Sequence, residues 1–138
     1  MKMVVDSSVA VKWLSAEGEQ YVEQADLVLE HAGKEELELI APEFIKYEIG
    51  NALRYKKIPE EGKLEILKQF YTIPLAFYGI SFRQSKVAFE IARDAGITFY
   101  DAVFMELTNR LGATLITANP KHQKKFPGIK VVSLKDYQ

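Results

Sequence analysis

The chain has 138 residues, 48% of them hydrophobic and 27% charged, which suits one globular domain with its own core and excludes a wholly disordered chain. Its 18 basic and 19 acidic residues leave a net charge of −1, so no global field draws in a polyanion and any nucleic acid must meet a local patch. With no cysteine, disulfide, zinc–thiolate and cysteine-nucleophile chemistry are excluded, and no apolar run approaches the ~20 residues of a membrane span.

The N-terminal residues lack the apolar stretch of a signal peptide, and the expectation is a soluble, cytoplasmic protein with no membrane partner. Met3-Val4-Val5 reads as a short buried strand. Ser7-Ser8-Val9 opens a helical pattern, with a serine as its N-cap. Residues 19–33 form an amphipathic helix with Val22, Ala25, Leu29 and Ala32 on one stripe and Gly33 closing it. A strand from Leu37 to Ala41 stops at Pro42. Residues 43–56 are helical, and Pro59 begins a further helix to Tyr71, with Leu64, Leu67 and Phe70 spaced for burial. Leu75 to Tyr78 is a third strand. Helices over 82–95 and 99–111 end at Gly96 and Gly112. Ala113 to Thr117 is a strand, Pro120 to Phe126 a basic turn or short helix, and Lys130 to Val132 a last strand. Strands alternating with helices predict an α/β fold, a parallel sheet covered on both faces, and in such sheets ligands collect beyond the carboxyl ends of the strands.

Four polar residues fall where that rule directs attention. Asp6 directly follows the first strand; it is either an N-cap or a ligand projecting from the strand's end. Glu48 shares a helical stripe with Phe44 and Ala52, beside Ile45 and Ile49, so its carboxylate turns toward the apolar face. A carboxylate there must be ion-paired, protonated or metal-bound. Asp101 lies three residues after Thr98, which gives it a place in a helix cap as well as in a site. Asn119 follows the fourth strand and precedes Pro120, a turn signal at the same sheet edge as Asp6. Three carboxylates and an amide make an oxygen-rich set suited to a hard divalent cation, Mg²⁺ or Mn²⁺, and to metal-assisted phosphodiester cleavage.

Four motifs carry a resemblance: Val4-Val5-Asp6-Ser7-Ser8-Val9; Ala41-Pro42 followed by Tyr47-Glu48-Ile49-Gly50-Asn51-Ala52-Leu53; Tyr100-Asp101-Ala102-Val103-Phe104; and Leu115-Ile116-Thr117-Ala118-Asn119. In this order and spacing, across essentially the whole chain, the sequence resembles a PIN domain, and within that family a VapC-type toxin ribonuclease. The resemblance implies a three-layer α/β/α sandwich around a mainly parallel sheet, and metal-dependent endonucleolytic cleavage of RNA. It implies Asp6, Glu48 and Asp101 as catalytic and metal-holding carboxylates, with Thr117, Asn119 and Ser7 in support. It also implies a homodimer and a cognate antitoxin that covers the active site. The family's terminal T-x-D motif ends here in Asn119, which brings no charge; one ion well held by Asp6 and Asp101 is expected, with a second held weakly.

Lys121, Lys124 and Lys125 follow the site directly and form a candidate RNA-binding patch, with His122 among them; Arg54, Lys56 and Lys57 form a second basic cluster. His31 reads as a surface residue. Trp13, Tyr47, Tyr55, Tyr71, Phe77 and Phe82 exceed what a small core needs, and the helices over 43–71 offer a groove for an antitoxin helix. Two other readings compete: a PIN fold that has lost catalysis at Asn119 and binds nucleic acid or protein, and a receiver-type or phosphatase domain using Asp6. The latter lacks an acid at Ser8 and any glycine-rich phosphate loop.

Overall fold

The computed structural model describes residues 1–121 and 128–138. Five strands form one sheet: β1 (Lys2–Val5), β2 (Glu38–Pro42), β3 (Leu75–Tyr78), β4 (Thr114–Thr117) and β5 (Lys130–Ser133). Their order is β3-β2-β1-β4-β5, and every pair is parallel. In a strand, successive side chains point to opposite faces. Met3, Val4 and Val5 are nevertheless all buried, as are all four residues of β4, so both faces of the sheet centre are covered.

The covering helices are α1 (Ser7–Ala10, continued by a 3₁₀ turn through Trp13), α2 (Val22–Gly33), α3 (Ile45–Tyr55), α4 (Glu60–Phe70), α5 (Phe82–Ala95) and α6 (Phe99–Arg110). The result is the expected three-layer α/β/α arrangement. Helix α6 packs across β1, β2 and β4, and Ala102 through Thr108 are buried without interruption. The chain lays β1, β2 and β3 outward in one direction, then returns to place β4 on the other side of β1. The carboxyl ends of β1 and β4 therefore flank the switch point, where a parallel sheet opens a crevice. Among the described residues no helix is long and apolar enough to cross a membrane.

Several local expectations are corrected. The N-cap of α1 is Asp6 itself, whose carbonyl accepts from the Val9 and Ala10 amides; both serines lie inside the helix. Helix α2 starts at Val22 rather than residue 19, because Gly18 (φ 70°) and Tyr21 (φ 57°) hold the left-handed region that interrupts a helix. Gly33 is its last residue; the left-handed turn beyond is made by Glu35, at φ 61°. In α4, Phe70 is buried but Leu64 is 79% exposed. Six residues separate them, about 120° around a helix of 3.6 residues per turn, whereas Lys63 lies within about 20° of Phe70. Lys63 takes the buried place, with its ammonium donating to the Arg54 carbonyl and Glu60.

The aromatic residues divide. The Trp13 indole donates to the Ala25 carbonyl, and Phe77 packs on the core beneath the Lys46 ammonium. Tyr47, Tyr55, Tyr71 and Phe82 are exposed. His31 is not a free surface residue: it is half-buried, with Nδ1 2.7 Å from the Tyr137 hydroxyl, which ties α2 to the C-terminus.

Candidate active site

Two strands adjacent in the sheet but distant in sequence build the centre. Val5 pairs with Ile116, and the Asp6 amide donates to the Ile116 carbonyl at 3.1 Å. The residues just beyond, Asp6 and Thr117, consequently emerge side by side. The Thr117 hydroxyl donates to Asp6 Oδ2 at 2.7 Å, and the Ser8 hydroxyl donates to the same oxygen at 2.7 Å. Behind them, the Ala118 amide donates to Ser8 Oγ and the Asn119 amide to Thr117 Oγ1, both at 3.0 Å. Each hydroxyl is thus fixed by a backbone donor and has its proton committed to Asp6. Oδ1 of Asp6 has no side-chain donor among the described residues.

Glu48 stands in the first turn of α3, half-buried, and accepts from the Ser7 hydroxyl at 2.5 Å through Oε1. Neighbouring helical residues diverge by about 100°, so the two serines serve different acids: Ser7 holds Glu48 and Ser8 holds Asp6. Asp101 stands in the first turn of α6, where the Thr98 hydroxyl caps the helix by accepting from the Asp101 amide at 3.1 Å. The cap and the site readings of Asp101 are therefore compatible: its backbone serves the cap, and its carboxylate is left for other partners.

Asp6 and Glu48 both feel neighbouring negative charge. Burial raises the Asp6 carboxyl above the usual aspartate range, and the negative charge of Asp101 raises it further, against hydrogen bonds from Ser8, Thr117 and the Ser7 backbone. Burial likewise raises Glu48, with the charges of Asp6 and Asp101 adding to it against the Ser7 hydrogen bond. Among the described residues, no three histidine, aspartate or glutamate side chains are drawn into a closed cage. The donor set itself fits a hard divalent ion: Asp6 and Glu48 are aligned by hydroxyls, and none of the three carboxylates is neutralised by a lysine or arginine among the described residues.

Asn119 is exposed, and only its backbone amide joins the network. With Ser8, Lys12, Glu19 and Tyr21 it lines a groove of about 450 Å³ beside the acids. Lys121 is exposed next to this groove; Lys124, Lys125 and His122 lie outside the described residues. The second basic cluster is partly engaged, since the Lys56 ammonium donates to the Ser15 and Glu17 carbonyls and to Glu19. Ser8 is the residue sequence reasoning missed. Its signal was the two-residue spacing from Asp6, at which a serine hydroxyl reaches back to a carboxylate instead of capping.

A family model for the PIN domain matches residues 3–127. The chain belongs to the PIN domain family. It is 30% identical over 135 residues to Ribonuclease VapC3 of Pyrobaculum aerophilum, covering 94% of this chain and 98% of that protein. The fold is similar to the crystal structure of VapBC2 from Rickettsia felis bound to a DNA fragment from their promoter, at TM-score 0.70 and 16% identity over 96% of this chain and 98% of that one. It is also similar to a toxin–antitoxin complex from Klebsiella pneumoniae, at TM-score 0.69 and 14% identity over 96% and 97% of the two chains. The PIN domain match begins at Met3 in β1 and so takes in all four of the motifs at the site.

Proposed function

We propose that this PIN-domain chain, working as one unit over residues 1–138, is an endoribonuclease that cuts RNA phosphodiester bonds with a divalent cation, Mg²⁺ or Mn²⁺. The observation that carries this reading is Asp6: a buried carboxylate at the sheet's switch point, aligned by two hydroxyls, with Asp101 near enough to raise its pKa and Glu48 near enough to feel its charge. Its relative in Pyrobaculum aerophilum is named a ribonuclease. Asp6 and Asp101 would hold the ion and Glu48 would complete the set. When bound, the cation supplies charge neutralisation at the phosphate and a more acidic water. Ser8 and Thr117 keep Asp6 in one orientation. Ser7 occupies Oε1 of Glu48, and Oε2 remains to take the proton of the attacking water. Lys121, and Lys124 and Lys125 after it, would hold phosphates along the strand.

The same reading makes the chain the toxin of a toxin–antitoxin pair acting in the cytoplasm as a homodimer. The exposed Tyr47 and Tyr55 of α3, Leu64 of α4 and Tyr71 just after it offer apolar surface suited to a cognate antitoxin. Incubating long structured RNA with the purified chain and Mn²⁺ or Mg²⁺ tests the activity: fragments are expected with metal and intact RNA with chelator. The charge-free, exposed Asn119 supports a second reading, a PIN fold that binds without cutting; intact RNA in every lane from folded protein selects it.

A further inference from the structure

A second cleft, with a volume of about 370 Å³, is lined by Phe44, Tyr47, Glu48, Asn51 and Tyr100. Its wall is firm. The Phe44 ring packs edge-on against buried Phe104 at 5.3 Å between centroids and against Tyr100 at 5.4 Å. Over this support Tyr47 and Tyr100 leave much of their rings open, being 77% and 62% exposed. Asn51 lies one turn after Tyr47 on α3, and its amide has no hydrogen-bond partner among the described residues. Two open aromatic rings and an unpaired amide around one carboxylate match no need of the core.

We propose that this cleft is a nucleobase subsite. The base next to the scissile phosphate stacks on Tyr47 and Tyr100, and the Asn51 amide reads its edge. An amide offers one donor and one acceptor, the complement of the N6–N7 edge of adenine. Stacking on an aromatic ring is tolerant of base identity, so Tyr47 supplies affinity and Asn51 supplies selectivity. Because Glu48 belongs both to the cleft and to the acid cluster, a base seated here leaves its own phosphate at the carboxylates. The inference rests on the ribonuclease reading and adds to it a preferred base at the cut.

The test is binding of fluorescent single-stranded hexa-adenylate and hexa-uridylate to the full chain in chelator, where nothing is cut. Wild type is expected to prefer hexa-adenylate. Tyr47→Ala weakens both ligands roughly 5- to 100-fold, the range of one lost base stack, and Tyr47→Phe restores them. Asn51→Ala removes the preference and leaves hexa-uridylate binding unchanged. In RNA fragments mapped to single-nucleotide resolution, Asn51→Ala loses the enrichment of adenine beside the cut. Binding by all three variants equal to wild type, or no binding by wild type, overturns the subsite. So does a Tyr47→Ala chain that binds both oligonucleotides normally but no longer retains its antitoxin, since the cleft then belongs to that partner. Base-selective binding without any cleavage of structured RNA leaves the subsite standing and removes the ribonuclease reading instead.

Discussion

Thr117 and Asp6 are 111 positions apart in the chain, yet the hydroxyl of one donates to the carboxylate of the other at 2.7 Å. Parallel pairing of β1 with β4 makes this contact, because residues that leave two adjacent parallel strands in register emerge as neighbours. Thr117→Val keeps the shape of the side chain and removes the hydroxyl. It leaves Asp6 with Ser8 alone and the Asn119 amide without its acceptor. Loss of a group that orients a metal ligand costs about 10- to 100-fold in metal affinity or activity. Thr117→Val and Ser8→Ala are each expected to fall in that range for RNA cleavage, with a stability loss of about 1 kcal/mol. Native cleavage rates in both would show that the hydroxyls do not position Asp6.

The raised pKa of Asp6 has a defined sign in stability. An acid whose folded pKa lies above its unfolded value binds its proton more tightly in the native state, so stability falls as pH rises through that interval. Glu48 acts in the same direction. The metal-free protein should therefore gain stability from these two groups as pH drops from 7 toward the ordinary carboxylate range near about 4. Asp6→Asn removes the charge and still offers an oxygen to Ser8 and Thr117. Its melting temperature in chelator at pH 7 should be unchanged or a few degrees higher, about 1 kcal/mol at most, and less dependent on pH. Thermal melts from pH 4 to 8 measure this, and a marked destabilisation by Asp6→Asn would contradict it.

Glu19 gives the opposite slope. Burial acts to raise its pKa, but hydrogen bonds from Lys12 and Lys56 outweigh burial and hold it below the usual glutamate range. Its contribution is present above that range and is lost as pH falls through the folded value. The Lys56 ammonium, itself largely buried, also ties down the Ser15 and Glu17 carbonyls, so one side chain fixes the whole loop leading to α2. Lys56→Met should cost about 2 kcal/mol, since it strands two carbonyls and half of an ion pair. Chemical denaturation reads the loss directly; an unchanged midpoint would mean the loop is held by other contacts.

Asn119→Asp restores a fourth acid at the edge of the site. Asn119 is exposed, so the added charge acts through water, where a unit charge about 4 Å from another is worth about 1 kcal/mol. Divalent-ion affinity is expected to tighten roughly fivefold, as seen by calorimetric titration. An unchanged affinity would place Asn119 outside the reach of the ion.

Much of this architecture was legible in the sequence because it rests on period and punctuation. The three acids and Thr117 fall at element ends, since each ends or directly follows a strand or lies in the first turn of a helix, and element ends survive small errors in boundary. Leu64 was misplaced because steps of three residues drift around a helix, and Lys63 took its position instead. For Ser8 the two-residue spacing from Asp6 is a local signal, but the Thr117 hydroxyl and Ala118 amide that fix its orientation arrive through the pairing of β4 with β1, which no local pattern encodes. Lys56 reads in the sequence only as one of a basic cluster because its acceptors, two backbone carbonyls and Glu19, come from a loop containing Gly18 and the left-handed Tyr21.

The most direct test pairs two readouts on the same two preparations, wild type and Asp6→Asn: calorimetric titration with Mn²⁺, and cleavage of a long structured RNA with Mn²⁺ or chelator. The account predicts that wild type binds Mn²⁺ and cuts only when it is present, while folded Asp6→Asn binds it far more weakly and leaves the RNA intact. Cleavage by Asp6→Asn at the wild-type rate, or cleavage by wild type in chelator, would contradict the assignment of the acid cluster as the metal-holding catalytic centre.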